Sequence, residues 1–192
     1  MDVNDEKLLE KQGVVFLRRS IDRDLENALS ELVMHQVLSG SRLVLLLDCV
    51  GGDVLSALHL YDLIRSSPIE SVAIVFGECT SATMLLLMAC KKRLALRHAR
   101  FRCHNLFFGK RNIPIKESSR RHLGTMLDSQ LEISRDYDRI LCSRGLSMKT
   151  LQRLKAEGEH SVEFNAIRAI RYGLIEEIID DLSPYIQPRG AA

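Results

Sequence analysis

Short apolar runs alternate with helical patterns along the first half of the chain. Continuous runs stand at Val14–Leu17, residues 43–47 and residues 71–76, and such runs are typical of strands covered on both faces of a parallel sheet. Between them, in residues 22–40 and 53–64, apolar side chains recur at helical spacing, which predicts amphipathic helices. The alternation of the two patterns predicts a layered α/β domain.

The second half of the chain continues this pattern as far as residue 181. A turn is expected at residues 77–81, and a long, highly charged helix at residues 115–144. The other predicted elements are a helix at 82–90, strands at 93–96 and 99–103, helices at 147–157 and 165–173 and a strand at 174–179. Because no linker divides them, we expect one domain at residues 13–181, between a short N-terminal segment (1–12) and a loose C-terminal tail (182–192).

The composition excludes several classes of protein. Of the 192 residues, 46% are apolar and 27% are charged, which is ordinary for a folded soluble domain and too apolar for a disordered chain. The net charge is only +2, and aromatic residues make up 5% with no tryptophan. Neither a basic surface nor a set of stacking platforms is therefore expected, and we expect no nucleic acid among the partners.

The apolar runs and the cysteines indicate a cytoplasmic protein or one in an equivalent reducing compartment. The longest nearly unbroken apolar run, at residues 82–90, is far shorter than the roughly 20 residues that span a bilayer, so no membrane partner is expected. The N-terminus is acidic and polar, unlike a secretory signal. The five cysteines are scattered without a CxxC pair, which argues against a disulfide framework and a metal site.

Three segments place chemically useful groups where a predicted strand ends. Gly51 and Gly52 allow a sharp turn that exposes backbone N–H groups. Ser81 lies at the next strand-to-helix turn, where its hydroxyl is exposed and the following N–H groups can stabilise an oxyanion. His104 follows a later strand and can act as a general base.

Each of these segments, taken alone, has a commoner structural interpretation. A Gly-Gly pair is usually a tight turn, a serine before a helix is usually its N-cap, and a single histidine is usually a surface or core side chain. A thiol nucleophile at Cys79 or Cys103 is a further alternative. The order Gly-Gly, Ser, His, each after an apolar strand, is what favours a catalytic site.

The motifs around these residues resemble ClpP, the proteolytic subunit of the Clp protease, in the ClpP/crotonase-like superfamily. The family's Asn-Ser-Pro-Gly-Gly-Ser corresponds to Asp-Cys-Val-Gly-Gly-Asp at residues 48–53, and its Gly-Gln-Ala-Ala-Ser-Met to Gly-Glu-Cys-Thr-Ser-Ala at 77–82. Its Arg-x-Met-Ile-His-Gln-Pro corresponds to Arg-Phe-Arg-Cys-His-Asn-Leu at 100–106. Its Ser-Ala-x-Glu-Ala-x-x-Tyr-Gly-Leu-Ile is similar to Asn-Ala-Ile-Arg-Ala-Ile-Arg-Tyr-Gly-Leu-Ile at 165–175. The resemblance covers roughly residues 8–179 and identifies the chain as a divergent member.

The resemblance implies a ClpP/crotonase-like fold of repeated β-β-α units with a protruding handle helix. It implies that Ser81 is the nucleophile, that His104 is the general base, and that the N–H groups of Gly52 and Ala82 form the oxyanion hole. The implied activity is that of a serine endopeptidase, without metal or cofactor, that hydrolyses unfolded polypeptides inside a ring chamber. The implied partners are further copies of the chain, in heptameric or double rings, and an AAA+ unfoldase.

Departures from the family pattern leave alternatives open. The third triad member of the family is an Asp eleven residues before the Tyr of Tyr-Gly-Leu, and here Ser161 stands at that position, flanked by Glu159 and Glu163. The family's Gly-rich strand is replaced by a basic segment at residues 106–114, and the N-terminal segment that contacts the unfoldase is short. The first alternative is a catalytically weak or inactive ClpP-like structural subunit of a mixed or scaffold assembly. A crotonase-fold enzyme acting on acyl-CoA is a more distant one.

Overall fold

The structure is a computed structural model that describes residues 12–105, 119–156 and 162–186, with the backbone alone for residues 119–123. Its strands are β1 (Val14–Leu17), β2 (Leu43–Cys49), β3 (Ser71–Thr80), β4 (Lys92–Leu96), β5 (Arg100–Arg102), β6 (Glu163–Asn165) and β7 (Glu177–Ile179). Its helices are α1 (Arg23–Ser39), α2 (Val54–Ser66), α3 (Thr83–Ala89), α4 (Ser119–Cys142), α5 (Met148–Ala156), α6 (Ala166–Arg171) and α7 (Ser183–Ile186). Predictions for the N-terminal segment, the segment after His104 and the end of the tail fall largely outside these residues.

A parallel sheet forms the centre of the molecule, with strand order β1-β2-β3-β4-β7. Every side chain from residue 43 to residue 47 is fully buried, because β2 is covered on both faces and paired on both edges. The α/β class and the parallel sheet that the sequence predicts are confirmed.

β3 changes its partner halfway along its length. Its residues 72–75 pair with β4, whereas residues 78–80 pair with β5, which in turn pairs antiparallel with β6. At the change, Asp48 Oδ1 accepts the N–H of Glu78 at 2.9 Å, and a side chain on Gly77 would overlap the Asp48 carboxylate. The predicted turn at residues 77–81 is therefore wrong in its extent, because the strand continues to Thr80.

Helices α1, α2 and α3 all contribute side chains to the apolar core on one face of the sheet. Every residue of α3 is buried, as its unbroken apolar sequence predicts. α1 begins at the predicted cap, since Asp22 Oδ1 accepts the N–H of Leu25 at 2.8 Å. It ends at Gly40 in the left-handed conformation. The local signals thus fix the helices that hold the β2 and β3 strand ends in place.

The C-terminal segment covers the opposite face of the sheet. The sequence predicts a loose tail from residue 182, but residues 183–186 form α7, and Tyr185 packs against the apolar side chains of that face. The Arg42 guanidinium donates to the carbonyls of Pro184 and Tyr185 at 3.3 and 2.9 Å, and the Lys92 ammonium donates to the Tyr185 hydroxyl at 3.0 Å. These contacts fasten the first turn of the tail; residues 187–192 lie outside the described residues.

The long helix α4 has a buried end and an exposed end. Near its C-terminus Tyr137 and Leu141 are fully buried, whereas Leu127 and Leu131 are 47% and 44% exposed. This is the handle helix that the resemblance implies. No described helix is long and apolar enough to cross a membrane.

Candidate active site

Ser81 forms a sharp elbow between β3 and α3. Its φ is +57°, and no other non-glycine residue of the described ranges has a positive φ. A left-handed conformation costs an L-residue roughly 1–2 kcal/mol, so the surrounding contacts must hold it. One of these contacts is the N–H of Ser81, which donates to the carbonyl of Arg102 in β5 at 3.1 Å. The predicted nucleophile therefore lies at a strained, well-anchored turn.

Gly51 brings the turn after β2 directly against this elbow. A Cβ added to Gly51 would lie 2.8 Å from the Ser81 Cβ and 3.1 Å from the Ala82 nitrogen, and its φ is +106°. Only glycine, which has no Cβ and readily adopts a positive φ, fits this position. The Cys49 thiol stands where the family has serine, accepts the Gly51 N–H at 3.4 Å and donates to the Arg19 carbonyl at 3.1 Å. The sequence alone gives no sign that this thiol supports the turn.

Two peptide groups beside Ser81 have their carbonyl oxygens anchored. The Gly51 carbonyl accepts from the Ile21 N–H at 2.9 Å and from the Ser20 hydroxyl at 3.2 Å. The Ser81 carbonyl accepts from the Met84 N–H at 3.0 Å and from the Tyr137 hydroxyl at 3.1 Å.

The N–H groups of these two peptides are those of Gly52 and Ala82, the predicted oxyanion donors. In a planar trans peptide the N–H points away from the C=O, so each donor is directed away from the groups that hold its carbonyl. Among the described residues no acceptor takes either N–H. Both N–H groups are thus oriented, that of Gly52 on an exposed residue and that of Ala82 on a buried one.

His104 follows β5 at the same end of the parallel β3–β5 pair at which Ser81 follows β3. Thr80 pairs with Arg102, whose carbonyl accepts the Ser81 N–H, and His104 comes two residues later. His104 Nδ1 lies 2.6 Å from the Asn105 carbonyl oxygen. Because a carbonyl oxygen only accepts, this contact places a proton on Nδ1.

Of the residues at and beside the third triad position, the structure describes Glu163. Ser161 and Glu159 lie outside the described residues. Glu163 is described in β6, opposite Arg102, and its carboxylate is bound by the guanidinium groups of Arg102 at 3.2 Å and Arg100 at 3.6 Å. Glu163 is therefore held by two arginines on a half-exposed surface.

The cysteines near the elbow do not have the properties of nucleophiles. Burial raises the pKa of the Cys79 thiol well above its usual range, and burial raises the pKa of Cys103 to about 12. Both remain protonated near neutral pH, and the thiolate is the nucleophilic form. The alternative of a thiol nucleophile at Cys79 or Cys103 therefore loses its support. The described residues also contain no group of His, Cys, Asp and Glu side chains arranged to hold a metal.

Two side chains that sequence analysis missed contact the site. The Tyr137 hydroxyl donates to the Ser81 carbonyl, and the Thr83 hydroxyl donates to the Cys49 carbonyl at 3.1 Å. Tyr137 lies four residues before Leu141 and has only the signature of a core-facing helix position. Its contact with Ser81 joins residues 56 positions apart and leaves no local signal.

The parallel sheet, the long handle helix and the elbow facing a Gly-Gly turn define an α/β protein of the ClpP-like fold class. Comparison with known proteins agrees, since the Clp protease family model matches residues 2–181. The chain therefore belongs to the Clp protease family.

Three relatives show how divergent this member is. Over 187 residues the chain is 26% identical to the ATP-dependent Clp protease proteolytic subunit 2 of Treponema pallidum (strain Nichols), a match covering 91% of this chain and 85% of that protein. It is 27% identical over 178 residues to the proteolytic subunit of Bigelowiella natans (89% and 86% covered). It is 24% identical over 177 residues to that of Deinococcus radiodurans (88% and 81% covered).

Proposed function

We propose that the protein is a serine endopeptidase subunit that hydrolyses peptide bonds of unfolded polypeptides inside an oligomeric ring chamber. The observation that carries the proposal is the pair of anchored peptides beside Ser81, which direct the N–H groups of Gly52 and Ala82 away from their carbonyl partners. Such donors serve an acyl-transfer reaction, because they stabilise charge that develops on a substrate carbonyl oxygen.

In the proposed reaction the Ser81 oxygen attacks the scissile carbonyl carbon while His104 Nε2 takes the hydroxyl proton. The carbonyl electron pair moves to oxygen, where the N–H groups of Gly52 and Ala82 stabilise it. When this intermediate collapses, the C–N bond breaks, His104 returns the proton to the leaving amine, and an ester remains on Ser81. Water activated by His104 then hydrolyses the ester and restores the serine.

The ring chamber is supported by family membership and by the exposed face of α4. Leu127 and Leu131 lie one helical turn apart and are about half exposed, which suits burial against another copy of the chain. The relatives are named ATP-dependent, and for this chain we propose an AAA+ unfoldase as the partner that delivers substrate. Five unpaired cysteines suit a cytoplasmic or other reducing compartment.

A second candidate function is a catalytically weak or inactive subunit in a mixed or scaffold assembly. Two observations favour it: Ser161 stands where the family has Asp, and Glu163 is already bound by Arg102 and Arg100. A hydroxyl at Ser161 would stabilise the imidazolium that forms on His104 less than a carboxylate does, and a comparable loss in another triad costs about 10⁴ in turnover.

A fluorophosphonate probe applied to the intact assembly tests the first function. We expect covalent labelling at Ser81, together with cleavage of an unfolded protein that the Ser81→Ala variant reduces to background. Absence of labelling, under conditions in which an active Clp protease is labelled, would overturn the peptidase proposal and favour the structural subunit. Unchanged turnover in Ser81→Ala would exclude this serine as the nucleophile.

A further inference from the structure

The Ser81–Ala82 peptide combines the carbonyl of the proposed nucleophile with the N–H of a proposed oxyanion donor. Its carbonyl oxygen accepts two hydrogen bonds, from the Met84 N–H at 3.0 Å and from the Tyr137 hydroxyl at 3.1 Å. The first belongs to the opening turn of α3. The second comes from α4, a different layer of the protein, and ties the elbow to the core.

A hydrogen bond to this oxygen acts on the N–H at the other end of the same peptide. Because the peptide is planar, fixing the direction of the C=O fixes the direction of the Ala82 N–H. A donor to the oxygen also polarises the peptide and makes its N–H a stronger donor. Rotation of this peptide would turn the Ala82 N–H away from the substrate and would require both bonds to Ser81 to break.

The surroundings of Tyr137 suit a permanent donor. Its side chain is fully buried, and burial raises the pKa of its phenol well above the usual range. The hydroxyl therefore stays protonated at any pH at which the protein would work. A phenolic O–H buried at this depth requires an acceptor, which the Ser81 carbonyl supplies.

The ring of Tyr137 is held by a neighbouring ion pair. The Lys155 ammonium lies 5.0 Å from the ring centroid and pairs with the Asp138 carboxylate. The Lys155 side chain is 5% exposed, so the cation is confined between the ring and the carboxylate. This arrangement joins α5 to α4 and leaves the hydroxyl little freedom to move away from Ser81.

We propose that Tyr137 is a positioning residue that orients and polarises the Ser81–Ala82 peptide, whose N–H is a proposed oxyanion donor. The inference rests on the proposed function, and it adds a residue from α4 to a site otherwise built at strand ends. Tyr137 itself touches no substrate. Its effect is confined to the transition state, in which charge reaches the carbonyl oxygen.

The test is Tyr137→Phe in the full assembly, which removes one oxygen atom and keeps the ring under Lys155. The matched control is Tyr185→Phe, which removes a hydroxyl that accepts from Lys92 on the opposite face of the sheet. Rates are expressed per active site, counted by fluorophosphonate labelling. For Tyr137→Phe we expect kcat to fall about tenfold with KM unchanged, and the control to match the wild type.

A peptide boronate separates positioning from a general loss of structure. It forms a tetrahedral adduct, so its affinity should fall by the same factor as kcat/KM in Tyr137→Phe. A purely structural role would lower the melting temperature and the number of labelled sites but leave both quantities unchanged per site. Wild-type kcat and boronate affinity per site, within twofold, would overturn the inference.

Fluorinated tyrosines at position 137 provide a second measurement if the phenylalanine variant does not assemble. They keep the hydroxyl and nearly the ring size while making the phenol a stronger donor. We expect kcat per site to change steadily with phenol acidity, and a constant kcat would contradict the proposed role. If the wild type itself is not labelled at Ser81, the peptidase proposal fails first, so the two failures are distinguishable.

Discussion

Ser81 lies in the densely packed centre of the molecule, whereas His104 follows a three-residue strand at its margin. On the elbow side, Ser81 is 8% exposed and is held by main-chain hydrogen bonds to β5 and α3 and by the hydroxyl of Tyr137. The His104 side rests on the short β5–β6 pair, in which the ion-paired side chains of Arg102 and Glu163 are 39% and 46% exposed.

The difference is one of construction. The elbow and the proposed oxyanion donors are made of backbone groups, which many sequences can supply as long as Gly51 and the buried core remain. The proposed base, His104, needs particular side chains that orient its ring and stabilise its protonated form. Ion pairs at the surface contribute little to stability. The elbow side can therefore keep its backbone groups although Cys49 replaces the family's serine, whereas Ser161 replaces a charged side chain of the family's triad.

The largest expected effect comes from Gly51→Ala. An alanine would adopt φ +106° only with strain, and its Cβ would lie 2.8 Å from the Ser81 Cβ. The elbow must move, so we expect the rate of fluorophosphonate labelling at Ser81 to fall by about 10²–10³. The rate is measured by mass spectrometry of the labelled peptide at several times of reaction.

Gly124→Ala is the matched control for that experiment. Gly124 lies in α4, and an added Cβ would meet no atom within 4 Å. Alanine is the better helix former, so we expect unchanged labelling and a free energy of unfolding about 0.5–1 kcal/mol higher. Wild-type labelling in Gly51→Ala would show that the elbow side is not the rigid half of the site.

The next largest effect is expected at the Lys155–Asp138 ion pair, which holds the ring of Tyr137. Lys155→Met removes the cation from a buried pair and leaves the Asp138 carboxylate, 22% exposed, without its partner. We expect the free energy of unfolding to decrease by about 3 kcal/mol, measured by urea denaturation. Adding Asp138→Asn should recover at least half of that loss, because no unpaired charge remains. A double variant no more stable than Lys155→Met would contradict this account.

The parts of the fold that the sequence predicts well are those that local patterns determine. β1 has the predicted bounds because Val14–Leu17 is a continuous apolar run. The helix after Asn165 begins as predicted, since Asn165 Oδ1 accepts the Arg168 N–H at 3.1 Å. Periodicity and capping are short-range signals, and both survive in a divergent chain.

The parts that sequence analysis missed depend on contacts between distant segments. β6 has only three residues and exists because it pairs with β5. The last strand begins at Glu177 instead of the predicted residue 174, because its pairing with β4 begins there. At the site, the motifs single out Ser81, but the Tyr137 hydroxyl reaches it from another layer of the fold. Such a contact has no periodicity to reveal it.

A gain of activity tests the His104 side. If the base is limited by the lack of a carboxylate, Ser161→Asp should raise kcat at least about tenfold with little change in KM, because the imidazolium is then stabilised. Ser161→Asn is the matched control, since it has nearly the same size without the charge, and we expect no gain from it. Equal kcat in the wild type, Ser161→Asp and Ser161→Asn would show that a missing carboxylate does not limit turnover.

The smallest expected effect comes from Glu163→Gln, which decides whether this glutamate substitutes for the missing aspartate. Its carboxylate is 46% exposed and bound by Arg102 and Arg100, so we expect the free energy of unfolding to change by no more than about 0.5 kcal/mol and turnover to stay within twofold. If Glu163 instead oriented His104, Glu163→Gln would reduce kcat by orders of magnitude. In that case Arg102→Gln, which releases the carboxylate, would raise kcat. Opposite changes of kcat in these two variants would thus show that Glu163 acts as the third member of the family's triad. No change of kcat in either variant would mean that the proposed catalysis depends on the elbow side.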